Sequence, residues 1–201
     1  MHHGLHNPPV RWIMVANIFT DGVSIYAFYA MQPYLLQLYG DPRAYWVAGL
    51  AAAMVGGAQI GGGLLVPWVT RMFRRRTSVL LSAVVLNALS LAMIGLVPRF
   101  WVAIALLVAW GLIFATVMPV RQAYVNDLIP SEQRATVLSF DSLMGSAGGV
   151  AAQPILGRAA DLWGYPMSYA ASAAIQALAV PFVWLARREG SDARDGVPGR
   201  G

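Results

Sequence analysis

The residue with the most chemical potential in this sequence is Asp21, an acid set inside a long apolar stretch. It lies ten residues beyond Arg11. In a membrane helix that is about 15 Å of depth, close to the midplane of a hydrocarbon core about 30 Å thick. A carboxylate there costs about 2.5–3.5 kcal/mol on insertion scales, so it has to face protein or a water-filled cavity. Asn17, Asp21, Ser24, Phe28 and Gln32 follow one another at steps of four, three, four and four, which puts them on one helical face. Tyr26, Tyr29 and Pro33 lie beside that face. A polar stripe with aromatic flanks suits a substrate or proton pathway. The alternative is a buried polar contact between helices, with Asp21 protonated or hydrogen-bonded and no part in transport. Asp141 is a second acid in an apolar stretch, about 9 Å below the membrane surface by the same rise per residue. At that depth pairing with water or an arginine competes with a proton-carrying role. Gln59, Gln153 and Trp110 are weaker candidates for contact with a substrate.

Other chemistries lack their residues. The chain has no cysteine, so there is no disulfide, thiolate metal site or thiol nucleophile. His2, His3 and His6 all precede the first apolar stretch, so no serine within it has a histidine base and no metal site forms there. Gly145-Ser146-Ala147-Gly148 therefore carries no protease chemistry, and no Gly-x-x-x-x-Gly-Lys loop cradles a nucleotide. An enzyme is not expected, and neither is a metal or organic cofactor; the coupling ion, if there is one, is expected to be the proton.

The elements that must position Asp21 follow from composition. Of the 201 residues 58% are hydrophobic and 11% charged, with a mean hydropathy of +0.57. Soluble domains carry about 25% charged residues, so this is a membrane protein. Six stretches are long enough to span: Trp12 to Tyr39, Ala44 to Val69, Ser78 to Val97, Phe100 to Val120, Ala135 to Gly157 and Leu162 to Ala186. None alternates as a barrel strand would, so the fold is all-α. All 14 basic residues are arginines, and 11 of them fall on the side that carries both termini. This asymmetry marks a cytoplasmic side at an inner or plasma membrane, rather than nucleic-acid binding. Residues 1–11 form a cytoplasmic segment, 12–187 the membrane domain, and 188–201 a charged tail expected to be disordered. No cleavable leader is apparent, so the first span is expected to remain in the mature chain.

Two spans carry rows of small residues at intervals of four: Gly49, Ala53, Gly57 and Gly61 in the second, Gly145 and Gly149 in the fifth. Such rows let helix backbones approach closely, and packing is their first explanation. The third and sixth spans are aliphatic apart from Asn87, some serines and Gln176, as expected of lipid-facing supports.

Three segments in order resemble the C-terminal half of a major facilitator superfamily transporter. They are the basic loop Gly62 to Thr77, the turn from Asn126 through Pro130 and Arg134, and the stretch from Pro154 through Gly157-Arg158 to Tyr165. The first has Val66, Pro67 and Trp68 where the N-terminal half of the family usually carries an acid, which favours the second half. The resemblance implies six helices as two inverted three-helix repeats, one half of a twelve-helix fold. In that arrangement the first and fourth spans line the cavity, the second and fifth meet the other half, and the third and sixth face lipid. It implies alternating-access transport, with efflux of an amphipathic or drug-like compound the expectation. Arg71, Arg74, Arg75, Arg76, Asp127, Glu132 and Arg134 would form a cytoplasmic latch. The expected partners are the bilayer, a small-molecule substrate, and an N-terminal half or second copy. A self-dimerising six-span permease and a non-transporting scaffold subunit are the rival expectations.

Overall fold

The first helix, α1 (Pro8–Tyr39), starts with Pro8 and Pro9, whose missing N–H groups fall where a helix has no acceptor for them. It ends at Gly40, which takes the left-handed conformation at φ 83° and returns its N–H to Leu36 O. Then come α2 (Tyr45–Met72), α3 (Arg76–Leu96) and α4 (Phe100–Leu128). A short 3-10 turn (Ser131–Gln133) leads into α5 (Arg134–Ala177), and α6 (Ala179–Asp195) follows. This computed structural model describes residues 7–73 and 75–195. His2, His3, His6 and Arg74 lie outside the described residues.

The long α5 reverses on itself. At Gly164 the backbone takes φ 81° and ψ 165°, a conformation open to glycine and strained for other residues. Beyond it the Ser168 hydroxyl donates to Leu156 O at 2.7 Å. Twelve residues of straight helix would separate those groups by about 18 Å. The second limb starts near Pro166 and continues into α6 with only a local loosening at Leu178, which stays right-handed helical at φ −63° and ψ −20°. Pro181, which lacks an N–H, accounts for that loosening. By length and composition, five helices among the described residues are apolar enough to cross a membrane, and the last of them, Ser131–Gly190, contains the reversal.

Several element ends differ from those expected from charge and apolarity. The stretch from Arg121 to Leu128, expected as loop, is the last part of α4. The fifth helical limb passes Gly157 and turns at Gly164. The final helix continues beyond Arg188 to Asp195, where a disordered tail is expected.

Apolar burial is divided into two layers. One contains Val23, Tyr34, Leu91, Ile94, Leu107, Leu156 and Tyr169; the other contains Ile13, Met14, Leu80, Val120, Val137 and Val183. Along α1, α3 and α5 the segments between these layers hold Asn17, Asp21, Asn87, Asp141 and Gln176. A polar layer thus crosses the middle of the bundle.

The tightest helix contact is between α1 and the first limb of α5. A Cβ on Gly22 would lie 2.6 Å from Gly148 O, and one on Gly148 would overlap the carbonyl of Ile18. On the other side α2 packs on α4, where a Cβ on Gly62 would overlap Ala115 and the Thr116 hydroxyl donates to Gly62 O at 3.2 Å. The opposite face of α2 is uncovered. A Cβ at Gly49 or Gly57 would meet nothing within 4 Å, and Ile60, Leu64 and Trp68 are exposed.

Replacing Gly148 with Ala should therefore force α1 and α5 apart, lowering stability by about 1–3 kcal/mol as overpacking does. Gly57→Ala, placed in open space, should be neutral. Thermal unfolding of the purified chain in detergent separates the two, and equal melting of both variants would contradict the packing described.

Candidate functional site

Within the polar layer, the glycines of α5 determine what can approach Asp21. Gly145 has no side chain, and a Cβ there would overlap the Asp21 carboxylate and lie 2.8 Å from the Asn17 amide nitrogen. Asn17 uses that space. Its amide donates to Asp141 O at 3.3 Å and, more weakly, to the Asp21 carboxylate at 3.5 Å. The Ser24 hydroxyl is turned inward to Thr20 O at 2.7 Å.

Opposite Asp21 stands Arg121 of α4, whose guanidinium makes a two-pronged pair with Asp141 at 2.8 and 2.6 Å. The two side chains are 16% and 8% exposed, so the pair is largely buried. Arg121 and Asp141 line one cavity together with Asp21. Three titratable groups therefore share one small region, two of them pairing with each other and Asp21 held only by the Asn17 amide.

Asp21 lines three cavities. The first, about 380 Å³, lies between α1, α2 and α4 and includes Ser24, Phe28, Tyr29, Gln59 and Trp110. Its volume falls within the range of about 300–1,000 Å³ typical of small-molecule sites. Its walls are largely aromatic and aliphatic: Trp110 stacks on Phe114 at 5.8 Å, and Phe28 meets Tyr29 edge to face at 5.4 Å. The second, about 350 Å³, lies between α1, α4 and α5 and is lined by Asn17, Arg121, Gln122, Asn126 and Asp141. The third, about 60 Å³, is bounded by α1, α3, α4 and the final limb, and includes Asn17, Asn87 and Gln176.

Most of the pathway residues expected from the sequence meet here: Asn17, Asp21, Ser24, Tyr29, Gln59, Trp110 and Asp141 all line one of the three cavities. Two do not. Tyr26 is buried against Tyr169 and shares a 2.5 Å hydrogen bond with Ser168, fixing α1 to the final limb. Gln32 is exposed. Arg121 is the principal residue missed, because its charge marked the end of a span; Asp141 on the neighbouring helix supplies the partner that lets α4 carry it inside. Asn87 and Gln176, expected on lipid-facing helices, point into the smallest cavity instead.

At the arginine-rich end, Arg76 pairs with Asp127 at 2.5 Å, with both side chains well exposed. Arg134 donates to Asn126 O at 3.3 Å, while Arg71 and Arg75 are exposed nearby. Glu132 accepts a hydrogen bond from the Ser131 hydroxyl at 3.0 Å. A backbone hydrogen bond, assisted by that hydroxyl, holds the Glu132 carboxyl below the usual glutamate value. The two small-residue rows diverge: Gly145 packs against α1, while Gly49, Ala53 and Gly57 of α2 face outward and Gly61 touches Leu112 of α4.

Removing one partner of a buried ion pair is costly. Arg121→Gln should lower stability by about 3–5 kcal/mol, and adding Asp141→Asn should recover most of that loss. Unfolding in detergent measures both, and a double variant no more stable than the single one would contradict the pairing.

No curated protein sequence matches the chain. Among solved structures it is similar to the POT family transporter PepTSo, crystallised in meso, with a TM-score of 0.80 at 13% sequence identity. The similarity covers 91% of this chain and 38% of that one, so the chain spans well under half the length of that transporter. The sequence model of the Major Facilitator Superfamily matches residues 13–199. With the helical bundle and the membrane-length helices, that match establishes that the chain belongs to the Major Facilitator Superfamily of membrane transporters.

Proposed function

We propose that this chain forms one half of an alternating-access transporter for a small amphipathic molecule, working as an exporter, with Asp21 as its coupling group. The observation that carries this reading is that a single carboxylate lines all three cavities of the polar layer. A scaffold subunit has no use for an acid in an aromatic cavity of about 380 Å³. In the proposed arrangement α1–α3 and α4 to the end of α6 are two inverted three-helix repeats, with Gly164 as the turn between the last two of six spans. The arginine-rich side faces the cytoplasm. The uncovered face of α2, with Gly49, Ala53 and Gly57, receives a second six-helix unit, either a companion half or another copy of this chain.

Asp21 would carry a proton or the positive charge of a substrate between the two sides. Asp21→Asn should leave insertion unchanged and abolish the dependence of transport on a pH gradient, while Asp21→Glu should keep part of it. Transport assays in vesicles check this, and an unchanged rate with an unchanged pH response would contradict the role.

The Arg76–Asp127 pair would act as a latch at the cytoplasmic side. An exposed pair contributes about 0–1 kcal/mol, so Asp127→Arg should move the inward and outward populations by no more than about fivefold. Spectroscopic distances between labels on the two cytoplasmic faces measure that shift, and populations that do not respond would remove the latch from the mechanism.

A further inference from the structure

One exposed cation has no part in that reading. Arg75 stands just before α3 and makes no ion pair with a described residue, whereas its neighbour Arg76 is taken by Asp127. It precedes Ser82 by seven residues and Leu86 by eleven, steps that keep the three along one side of the helix. Ser82 and Leu86 form one wall of a groove. α2 packs on α4 and barely touches α3, so a gap of about 190 Å³ is left over α4, with Leu65, Val69 and Phe73 of α2 as its other wall.

The lining restricts what the groove can hold. Its two polar side chains are Ser82 and Thr116, and the Thr116 hydroxyl is already held by Leu112 O at 2.7 Å and Gly62 O at 3.2 Å. A small-molecule site fixes its ligand with several placed polar groups, and a water needs two to four polar partners, so neither is served here. The rim opens outward: Leu65 and Leu86 are exposed, and the exposed aliphatic face of α3 continues through Leu89 and Met93, away from Arg75. In a membrane that face meets acyl chains. At the other end the charge is positive. Asp127 is paired with Arg76, and the first turn of α3 contains no acid. Seven residues of helix place Arg75 about 10 Å above Ser82, so a guanidinium at the level of the lipid headgroups stands over a groove inside the hydrocarbon. Basic residues beside a cleft between membrane helices select anionic headgroups, and a guanidinium matches phosphate oxygens.

We infer that the groove between α2 and α3 binds one anionic phospholipid from the leaflet on the arginine-rich side, with its phosphate on Arg75 and one acyl chain lying past Ser82 and Leu86. The chain fills the gap between two helices that scarcely pack on each other, so the lipid becomes part of the wall that supports α4. This site does not depend on the role given to Asp21.

The test is native mass spectrometry of the purified full chain in detergent, titrated with phosphatidylglycerol and separately with phosphatidylcholine of the same acyl chains. The wild-type chain should bind one phosphatidylglycerol about fivefold or more tighter than phosphatidylcholine, as one basic residue near a membrane surface provides. Arg75→Gln should bring the two lipids close to equal. Arg71→Gln, six residues beyond Leu65 and turned away from the groove, should keep the preference. Ser82→Leu should block the chain and lose the tight lipid, yet melt no lower than the lipid-free wild type, because it fills an apolar gap; if it does not fold, the two arginine variants decide. An excess of inorganic phosphate should leave the lipid bound. Equal binding of the two lipids by the wild type, a preference reduced as much by Arg71→Gln as by Arg75→Gln, or displacement of the lipid by phosphate would overturn the site.

Discussion

The backbones of α1 and α5 touch at Gly22 and Gly148, and most of what distinguishes this bundle follows from that contact. At helix separations set by larger side chains, Asp21 would face either lipid or a neighbouring methyl group. Here Gly145 opens a gap one side chain wide, and Asn17 and Asp21 occupy it. The same approach brings Asp141 close enough for its backbone carbonyl to accept from Asn17 while its carboxylate faces Arg121. The polar layer between the two apolar layers is thus a consequence of glycine spacing on one helix and hydrogen-bonding residues at the matching register on another. Membrane helices gain little from hydrophobic attraction to each other, so close backbone packing and internal hydrogen bonds are the interactions available to hold them together.

The arrangement leaves Asp21 without an ion pair among the described residues. Arg121 and Asp141 satisfy each other, and Asp21 pairs with neither. In the proposed function this unpaired acid is the group that answers to a proton or to the positive charge of a substrate. The uncovered face of α2 lies apart from this layer: Gly49, Ala53 and Gly57 point away from Met54, Val55, Ala58 and Gln59, which line the aromatic cavity.

Much of this was legible in the sequence, for physical reasons that also explain the failures. Asp21 stood out because an acid at that depth is expensive in lipid, and the steps from Asn17 to Ser24 placed its neighbours on one face without any tertiary information. Family membership was legible too, because basic loops and turn motifs keep their order along the chain. The reversal near Gly164 was contained in the motif running from Pro154 to Tyr165, although apolarity alone ended the fifth span at Gly157. Arg121 was hidden because a lone arginine after an apolar run looks like a membrane boundary; only the position of Asp141 on another helix makes it an interior residue. Asn87 and Gln176 were hidden for a related reason. One amide in an aliphatic helix produces no periodicity, and its direction is determined by how the helix packs. Tyr26 illustrates the converse: nine residues beyond Asn17, at about 100° per residue, it points to the opposite side of α1, where the reversal at Gly164 brings Ser168 and Tyr169 against it.

Because the chain contains no native cysteine, single cysteines can be introduced without background labelling. The most direct test of the central claim, that α1, α2 and α4 enclose a water-filled site ending at Asp21, is labelling of Phe28→Cys and Gln59→Cys in membranes with a hydrophilic maleimide. Leu89→Cys, on the exposed aliphatic face of α3, serves as the lipid-facing comparison. Rapid labelling at residues 28 and 59 and little at 89 is the result the account predicts. Equal labelling at all three positions, or labelling at 89 alone, would contradict it.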